Sequence, residues 1–468
     1  MKNIPQHLFF SGIGGSGVSA LARFMADRGH IVAGSDRAFA GHPDHPALET
    51  LQAAGISLFP SDGTGITPDL DILIYSTAVE PDQPDLEKAR QLGVRMVARP
   101  DYLAQIASGF QTTAVAGTSG KSTVSGMLAY LMKRLNLEPN FIGGGRVKQF
   151  RTAVNPGNSL TGNSDTLVIE ACESDGSIVN YYPQRTILLN LDLDHHSVRE
   201  TTSMFETLIQ HTSGTTVINW DDRNLSSLHR EQFASFSIER PSGYQAENII
   251  LQPLCSEFTV RNVRCRISLP GMYNIYNALA CIACLAEMGI PLDAIAPVLP
   301  EFAGIERRFD IHRNDGRCLV IDDYAHNPHK IASMMRAMQA VKPAICYIFQ
   351  PHGFGPTRMM KNEYISAFSE HLRPSDHLVL LPIYFAGGTA QHDISSDDLA
   401  KGVRATGKSA EAVIAREDVF EKAGVWNNFV VFGARDESLA KFADALAQKI
   451  PADEPAIAAN RLYNHGKR

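Results

Sequence analysis

The sequence contains few cysteines and no long apolar run, and each absence excludes a class of protein. Seven cysteines in 468 residues show no spacing typical of a disulfide framework. Cys281 and Cys284 form a C-x-x-C pair inside an Ala/Leu-rich helical pattern, where we predict packed core residues rather than a redox or zinc pair. No apolar stretch approaches the ~20 residues that span a bilayer. The N-terminus, Met1 to His7, lacks the apolar region of a signal peptide, so we expect a cytoplasmic protein without a membrane partner.

Basic residues are too few and too scattered to bind nucleic acid electrostatically. The chain has 43 Lys and Arg against 50 Asp and Glu, a formal net charge of −7. A polyanion-binding protein needs a basic face, and no Lys/Arg-dense run precedes the short tail Lys467-Arg468. We therefore expect no nucleic-acid partner. An anionic nucleotide remains possible, because its phosphates need only a local positive potential.

Short β-rich runs alternate with helical patterns along the chain, which predicts an α/β fold with parallel sheets covered on both faces. At roughly 100–200 residues per domain, the length predicts two to four domains, and we expect three. We place them at residues 1–107, 108–309 and 310–468. The stretch from Phe233 to Leu269 is richer in β and turn signals, which predicts a small antiparallel extension.

A glycine-rich turn lies between the predicted strand Thr112–Ala116 and a helix predicted from Ser122 to about Leu135. Such a turn directs backbone N–H groups and the positive end of a helix at one place, which favours phosphate. Val115 stands where the usual pattern has its first glycine, so this is a short form of that loop. An ordinary strand–turn–helix connection is the alternative. The residues predicted to bind ATP here are Gly117, Thr118, Ser119, Gly120, Lys121, Ser122 and Thr123.

Two later predicted strands end in residues suited to a divalent cation. Glu170 ends the strand Thr166–Glu170, and His195 follows the strand Thr186–Asn190. Carboxylate oxygens suit Mg²⁺, and a neutral imidazole can bind a second divalent ion. Parallel strands present their carboxyl ends at one edge of a sheet. We therefore predict a site for Mg²⁺ or Mn²⁺ formed by Ser122, Glu170 and His195, with a solvated acidic turn and surface histidines as the alternative.

A second glycine-rich turn near the N-terminus has the pattern G-x-G-x-x-G between a strand and a helix, with an acidic residue about 20 positions on. This pattern specifies a pyrophosphate at a helix N-terminus, and NAD, FAD or a UDP-sugar would satisfy it. An oxidoreductase would not need the second phosphate site downstream. The predicted residues are Gly12, Gly14, Gly15, Ser16, Gly17 and Asp36, with Ser76 and Thr77 at the end of a later strand.

Together these segments resemble the Mur ligases, the ATP-dependent amide-forming enzymes of peptidoglycan precursor synthesis. The resemblance implies a Rossmann-like UDP-sugar domain, a central P-loop ATPase-like domain and a C-terminal Rossmann-like domain. It also implies that Asn274 and Asn277 contact adenine, and that Arg308 and Asp323 bind ATP. The segments that resemble the family, in its order, are Gly12–Ser19, Gly117–Thr123, Glu170–Ser177, Asn190–His195, Pro270–Ala278, Phe302–Phe309, Asp322–Pro328 and Phe349–His352.

The same resemblance implies a reaction. The lactyl carboxylate of UDP-N-acetylmuramate would attack the γ-phosphate of ATP, and an amine, first of all L-alanine, would attack the resulting acyl phosphate. Tyr324 would lie near the amine. The implied catalytic residues are Lys121, Glu170, His195, His326, His352 and Arg358.

Three departures from the family pattern bear on this expectation. Tyr273 and Ser197 replace a histidine and an aspartate, and the segment Gly353–Arg358 keeps one arginine where the L-alanine enzymes have several. Arginine holds carboxylates bidentately, so the amine substrate stays open between an amino acid and the preformed peptide of a recycling ligase. A nicotinamide oxidoreductase and a non-catalytic nucleotide-binding protein are the alternatives from other classes.

Overall fold

The computed structural model describes residues 5–41, 46–193, 196–385, 391–423 and 425–450 of the chain. The chain divides into two compact units, Met1–Ile305 and Glu306–Arg468. Both units consist of helices and largely parallel sheets, which confirms the predicted α/β class. The predicted division into three domains stays a prediction. Within the described ranges, no helix combines the length and apolar character needed to cross a membrane.

The first unit begins with a five-stranded parallel sheet. Its elements are β1 (His7–Ser11), α1 (Ser16–Asp27), β2 (Ile31–Ser35), α2 (Arg37–Gly41), α3 (Pro46–Ala53), β3 (Ser57–Phe59), β4 (Ile72–Tyr75), α4 (Pro84–Leu92), β5 (Arg95–Ala98) and α5 (Arg99–Ala107). The strand order is β3-β2-β1-β4-β5. The order reverses between β1 and β4, so a crevice opens beyond the carboxyl ends of these two strands.

A larger, eight-stranded sheet follows in the same unit. Its elements are β6 (Gln111–Ala116), α6 (Lys121–Arg134), β7 (Asn140–Ile142), β8 (Ser159–Leu160), β9 (Thr166–Glu170), β10 (Arg185–Leu188), α7 (Val198–His211), β11 (Thr215–Asn219), β12 (Ala234–Ser237) and β13 (Tyr244–Gln245). The order is β13-β12-β11-β10-β6-β9-β7-β8, and only the β7–β8 pair is antiparallel. The central position of β6 brings the ends of β9 and β10 to either side of the glycine loop that follows β6.

The first unit closes with a small antiparallel sheet and two helices. Their bounds are β14 (Glu247–Leu251), β15 (Ser256–Val260), β16 (Val263–Ile267), α8 (Met272–Glu287) and α9 (Leu292–Ile295). The predicted antiparallel extension is therefore confirmed for β14 to β16 and wrong for β12 and β13, which continue the parallel sheet. Turn signals mark a short strand but do not determine which sheet it joins.

Helix α8 contains the C-x-x-C pair in its buried face. Cys281 and Cys284 are fully buried free thiols, and burial raises the pKa of Cys284 to about 12. Such thiols stay protonated at neutral pH and pack as small apolar groups. The prediction that they are core residues is confirmed.

The second unit contains a six-stranded sheet. Its elements are β17 (Asp310–Asn314), β18 (Leu319–Asp323), α10 (Pro328–Gln339), β19 (Cys346–Phe349), α11 (Phe354–Met359), α12 (Lys361–His371), β20 (His377–Leu380), α13 (Ser396–Ala405), β21 (Ala410–Ala412), β22 (Asn428–Phe432) and α14 (Leu439–Lys449). The order is β17-β18-β22-β19-β20-β21, with β17 antiparallel to β18 and the other pairs parallel. The buried strands β18, β19 and β22 form its centre.

Candidate active site

The glycine loop predicted to bind phosphate connects β6 to α6. Gly117 and Gly120 have φ angles of +151° and +89°, values that L side chains rarely adopt. A Cβ atom at Gly117 would lie 2.9 Å from the Cβ of Leu189. Helix α6 begins at Lys121 without a side-chain cap among the described residues. Its first N–H groups therefore remain available to a phosphate.

Lys121 lies beside these N–H groups. Its Nζ donates to the carbonyl oxygen of Gly117 at 2.5 Å and to the Glu173 carboxylate at 2.8 and 3.1 Å. The side chains of Lys121 and Glu173 are only 14% and 5% exposed. Burial strengthens this ion pair relative to a surface pair. The ammonium charge predicted for the outer phosphates is thus held at the loop by a carboxylate.

Ser122 and Glu170 form the oxygen-rich part of the site. The Ser122 hydroxyl donates to Glu170 Oε2 at 2.9 Å, and Glu170 Oε1 accepts from the N–H groups of Gly144 and Gly145 at 2.6 and 3.3 Å. A hydroxyl and a carboxylate are donors that fit a hard divalent cation. His195, the third predicted ligand, lies outside the described residues.

Asn190, just past β10, holds the glycine loop in place. Its Oδ1 accepts from Ser119 N–H at 2.8 Å, and its Nδ2 donates to the Ser119 carbonyl at 3.0 Å. The Asn190 carbonyl also accepts from Thr118 N–H at 3.1 Å. These bonds leave the N–H groups at the start of α6, rather than those of Thr118 and Ser119, to face an anion.

Asn274 and Asn277 lie on the first turns of α8, next to the same loop. Asn277 Nδ2 donates to Asn274 Oδ1 at 3.1 Å, and Asn274 Nδ2 donates to the Pro270 carbonyl at 2.8 Å. Both residues are buried. A Cβ atom at Gly120 would lie 2.9 Å from Asn277 Oδ1. The predicted adenine contacts are therefore neighbours of the phosphate loop.

The N-terminal glycine turn, like the central one, has a glycine with a positive φ that leaves little space for a side chain. Gly12 has a φ of +82°, and a Cβ there would lie 3.0 Å from the Cβ of Ser76. Gly14 N–H donates to Asp36 Oδ2 at 2.9 Å, and Asp36 Oδ1 accepts from Ala38 N–H. Asp36 thus supports the turn itself, whereas an NAD-binding site directs this carboxylate to the ribose.

Helix α1 begins at Ser16 behind Gly15, again without a side-chain cap in the described chain. Gly15, Ser16 and the nearby Thr77 are exposed, as a ligand site at the β1–β4 crevice requires. Arg99 approaches Gly17, since its NH1 is 3.9 Å from the position a Cβ would take there. The two glycine turns therefore give the first unit two uncapped helix N-termini of the kind that bind phosphate.

In the second unit, the predicted ATP-binding residues surround Tyr324. The Arg308 guanidinium lies 4.8 Å from the centre of the Tyr324 ring. Asp323 accepts from the N–H groups of Phe309 and Ala325, both at 2.8 Å. The carboxylate therefore fixes the turn that follows β18.

His326 and His352 lie together, with ring centres 5.6 Å apart. Burial lowers the pKa of His326 to about 4, and burial followed by the charge of Arg435 lowers the pKa of His352. His326 is therefore neutral at pH 7. Its Nδ1 lies 2.9 Å from the Tyr324 carbonyl, which can only accept, so Nδ1 holds the proton and Nε2 is left as an acceptor.

Arg358, the remaining predicted residue, is engaged by an acid that sequence reasoning missed. Its Nε donates to Asp393 Oδ1 at 2.8 Å, and its NH2 donates to the same oxygen and to the Gln391 carbonyl. Phe354 stacks on His392 at 4.0 Å nearby. No signal in the sequence pointed to this pairing.

Glu173 and Asn190 were also missed, although both lie inside segments singled out for other residues. Glu173 belongs to the acidic run after β9, and Asn190 begins the segment that ends at His195. An acid near a phosphate-loop lysine and an amide at a strand end are available signals, but only the strand order shows which loop they contact.

Fold and site together define an α/β enzyme with a P-loop. Three family models match the chain in order: "Mur ligase family, catalytic domain" over residues 7–111, "Mur ligase middle domain" over 115–285, and "Mur ligase, glutamate ligase domain" over 307–435. The chain belongs to the Mur ligase family, and it is a ligase. The predicted family resemblance is confirmed.

Individual relatives agree with this assignment. The chain is 33% identical over 430 residues to the UDP-N-acetylmuramate–L-alanine ligase of Streptomyces avermitilis. The aligned residues cover 88% of this chain and 89% of the relative. The solved UDP-N-acetylmuramate–alanine ligase of Thermotoga maritima matches with a TM-score of 0.80 and 26% identity, over 95% and 98% of the two chains. A murein peptide ligase from Psychrobacter arcticus shares the fold, with a TM-score of 0.68, 20% identity and 96% and 100% coverage.

Proposed function

We propose that the protein joins L-alanine to the lactyl carboxylate of UDP-N-acetylmuramate, with ATP as the activating substrate, in peptidoglycan precursor synthesis. The observation that supports this most directly is the pair of uncapped glycine turns in one unit, Gly12–Gly17 and Gly117–Thr123. A UDP-sugar and ATP each present phosphates to such a turn. Relatives named for this reaction match along nearly the whole chain.

The central turn would hold the phosphates of ATP, and Asn274 and Asn277 would contact the adenine. Lys121 would leave Glu173 for the outer phosphates and offset the charge that develops during transfer. Ser122 and Glu170, with His195, would hold Mg²⁺ or Mn²⁺, which would neutralise further phosphate charge.

The first 107 residues would hold the UDP-sugar. Its pyrophosphate would lie against Gly12, Gly14, Gly15, Ser16 and Gly17, with Asp36, Ser76 and Thr77 at the edge of the same crevice.

In the proposed reaction the carboxylate oxygen bonds to the γ-phosphorus of ATP and ADP leaves. The amine nitrogen then bonds to the acyl carbon, the amine loses a proton, and inorganic phosphate leaves. Positioning the reactants and neutralising charge supply most of the acceleration.

From the second unit, Arg308 and Asp323 would contribute to ATP binding. His326 Nε2 is an acceptor suited to an amine N–H, with Tyr324 and His352 next to it. Arg358, whose Nε and NH2 bond to Asp393, would lie near the amine substrate.

The test is phosphate release from ATP in the presence of UDP-N-acetylmuramate and one amine at a time. We expect release with L-alanine and little with larger amino acids, and no release when either co-substrate is omitted. Release with murein tripeptide but not L-alanine would replace the proposal with the recycling reaction. The absence of release with every amine, or hydride transfer from a nicotinamide, would overturn the ligase proposal itself.

Asn190→Ala is expected to raise the KM for ATP about tenfold with a smaller change in kcat. The substitution removes two hydrogen bonds to Ser119, each contributing roughly 0.5–1.5 kcal/mol, and so leaves the loop less ordered before ATP binds. Steady-state kinetics with varied ATP measure this change. Asn224→Ala is the matched control, because Asn224 Nδ2 bonds to the Leu191 carbonyl at 2.6 Å and not to the loop. Equal effects of both variants would contradict the role of Asn190.

A further inference from the structure

The connection between β7 and β8, residues 143–158, is a loop folded back on itself, called here the β7–β8 loop. Gly143 N–H donates to the Asn158 carbonyl at 2.9 Å, and Val147 N–H donates to the Gly157 carbonyl at 2.8 Å. Gly157 has a φ of +100°, and a Cβ there would lie 2.4 Å from the Val147 carbonyl oxygen. These contacts lock the beginning of the loop to its end.

The end of the β7–β8 loop bonds to the N-terminal glycine turn. Asn158 Nδ2 donates to the Ser16 carbonyl at 2.9 Å and lies 3.2 Å from Ser19 Oγ. The Ser16 carbonyl can only accept, so the amide nitrogen must face it. Asn158 is 1% exposed.

The beginning of the same loop bonds to the acid of the central site. Gly144 and Gly145 donate their N–H groups to Glu170 Oε1, whose other oxygen accepts from Ser122. A Cβ at Gly145 would lie 2.9 Å from the Cβ of Ser122. The orientation of Glu170 therefore depends on where the β7–β8 loop holds these two N–H groups.

A continuous set of hydrogen bonds thus connects the two nucleotide turns of the first unit. It runs from the Ser16 carbonyl through Asn158 to Gly143, and then to the adjacent N–H groups of Gly144 and Gly145, which donate to Glu170. We propose that Asn158 is a positioning residue that couples occupancy of the UDP-sugar site to ATP–Mg²⁺ binding at Ser122 and Glu170. This inference rests on the proposed function for the identity of the two ligands.

The physical basis is a shared cost of ordering. A pyrophosphate bound at the start of α1 fixes the Ser16 carbonyl, and Asn158 then fixes the β7–β8 loop, so that ATP–Mg²⁺ meets an already oriented Glu170. A ligand that binds a preordered site loses less conformational freedom. Coupling of this kind is reciprocal and typically amounts to about 5- to 150-fold in affinity.

Another hydrogen bond links the part of the unit that contains the five-stranded sheet to the part that contains the eight-stranded sheet, and it does not involve the β7–β8 loop. Asn180 Nδ2 donates to Asp101 Oδ1 at 2.9 Å. Asp101 lies in α5, and Asn180 lies in the segment that follows β9. Asn180→Ala removes an amide donor between the same parts and leaves the Asn158 connection intact. It is therefore the matched control.

The experiment measures the dissociation constant of the β,γ-imido analogue of ATP with Mg²⁺, with and without saturating UDP-N-acetylmuramate. We expect the UDP-sugar to tighten analogue binding about tenfold in the wild-type protein and in Asn180→Ala, in the range typical of coupled sites. In Asn158→Ala and in the isosteric Asn158→Asp, whose carboxylate cannot donate to Ser16, we expect less than about a twofold effect. Binding of each ligand alone should change little.

Ser19→Ala is a milder variant, because it removes the Ser19 hydroxyl, which donates to the Ser16 carbonyl at 3.0 Å and accepts from Asn158, but keeps the bond from Asn158 to Ser16. It should reduce the coupling only in part. It keeps the inference testable if the Asn158 variants fail to fold, as judged by thermal unfolding. The inference would be overturned if a folded Asn158 variant kept the wild-type coupling. If no Asn158 variant folds, full coupling in Ser19→Ala would overturn it. A wild-type protein that ligates L-alanine yet shows no coupling would also overturn it. A wild-type protein without ligation would instead refute the proposed function.

Discussion

Lys121→Met is expected to lower kcat/KM for ATP-dependent phosphate release by about 10³-fold, the order seen when one preorganised charge-stabilising donor is removed. Methionine keeps most of the apolar length of the side chain and removes the ammonium group. The uncapped start of α6 would then be the main positive element left at the loop. Phosphate release with UDP-N-acetylmuramate and L-alanine measures the effect.

The same substitution has a second consequence, because Lys121 is the ion-pair partner of a carboxylate that is 5% exposed. Losing the ammonium leaves Glu173 without its partner, which is expected to reduce stability by about 1–3 kcal/mol. The double variant Lys121→Met/Glu173→Gln removes the unpaired charge. It should regain stability and stay inactive, which separates the loss of chemistry from the loss of fold.

Lys133→Met provides the control on the same helix. Lys133 lies near the end of α6, with its Nζ 5.3 Å from the centre of the Phe150 ring, far along the helix from the glycine loop. We expect activity within about twofold of wild type, since a surface substitution of this kind usually changes stability by less than 0.5 kcal/mol. Lys121→Met activity as high as that of Lys133→Met would refute the phosphate-loop assignment.

The local parts of this site were predictable from the sequence because their signals are local. A buried strand, two glycines and a helix identify the loop Gly117–Thr123, and the same reasoning placed β9 at Thr166–Glu170. The strand–turn–helix form of the loop and the strand β9 are confirmed, and ATP binding at the loop stays a prediction. Strand periodicity and glycine conformation act over a few residues.

The contacts that orient the site were not predictable in this way. Lys121 pairs with a residue 52 positions away, Asn190 bonds to a residue 71 positions away, and Asn158 bonds across 142 positions. These contacts depend on β6 lying between β9 and β10 and on the way the β7–β8 loop folds. Strand order is set by packing of the whole sheet, so one segment's pattern does not contain it.

In the second unit, Arg307→Met is expected to destabilise the fold by about 3–5 kcal/mol, the usual cost of removing one partner of a buried ion pair. Arg307 is 4% exposed and donates to Asp322, which is fully buried, and to the carbonyls of Gly433 and Asp436. All three acceptors would lose this donor.

The pH dependence of this variant gives the sharper test. Burial raises the pKa of Asp322 to about 7, and Arg307 opposes that shift, so removing Arg307 should raise the pKa further. The unfolded-state pKa is about 3.9. The native state therefore binds the proton more tightly, and stability falls as pH rises from about 4 through the native pKa. Arg307→Met should be more stable at pH 5 than at pH 8.

Unfolding in urea, followed by the fluorescence of Trp426 in a Trp220→Phe background, reports on the second unit alone, because the chain has two tryptophans. Arg307→Met/Asp322→Asn should recover part of the lost stability and lose most of the added pH dependence, since no buried carboxylate remains at that position. Arg404→Met, which breaks a surface pair with Asp397 in which both side chains are more than 40% exposed, should change stability by less than about 1 kcal/mol. A loss in Arg307→Met no larger than this control, or equal losses at pH 5 and pH 8, would show that Asp322 does not depend on Arg307 for its charge.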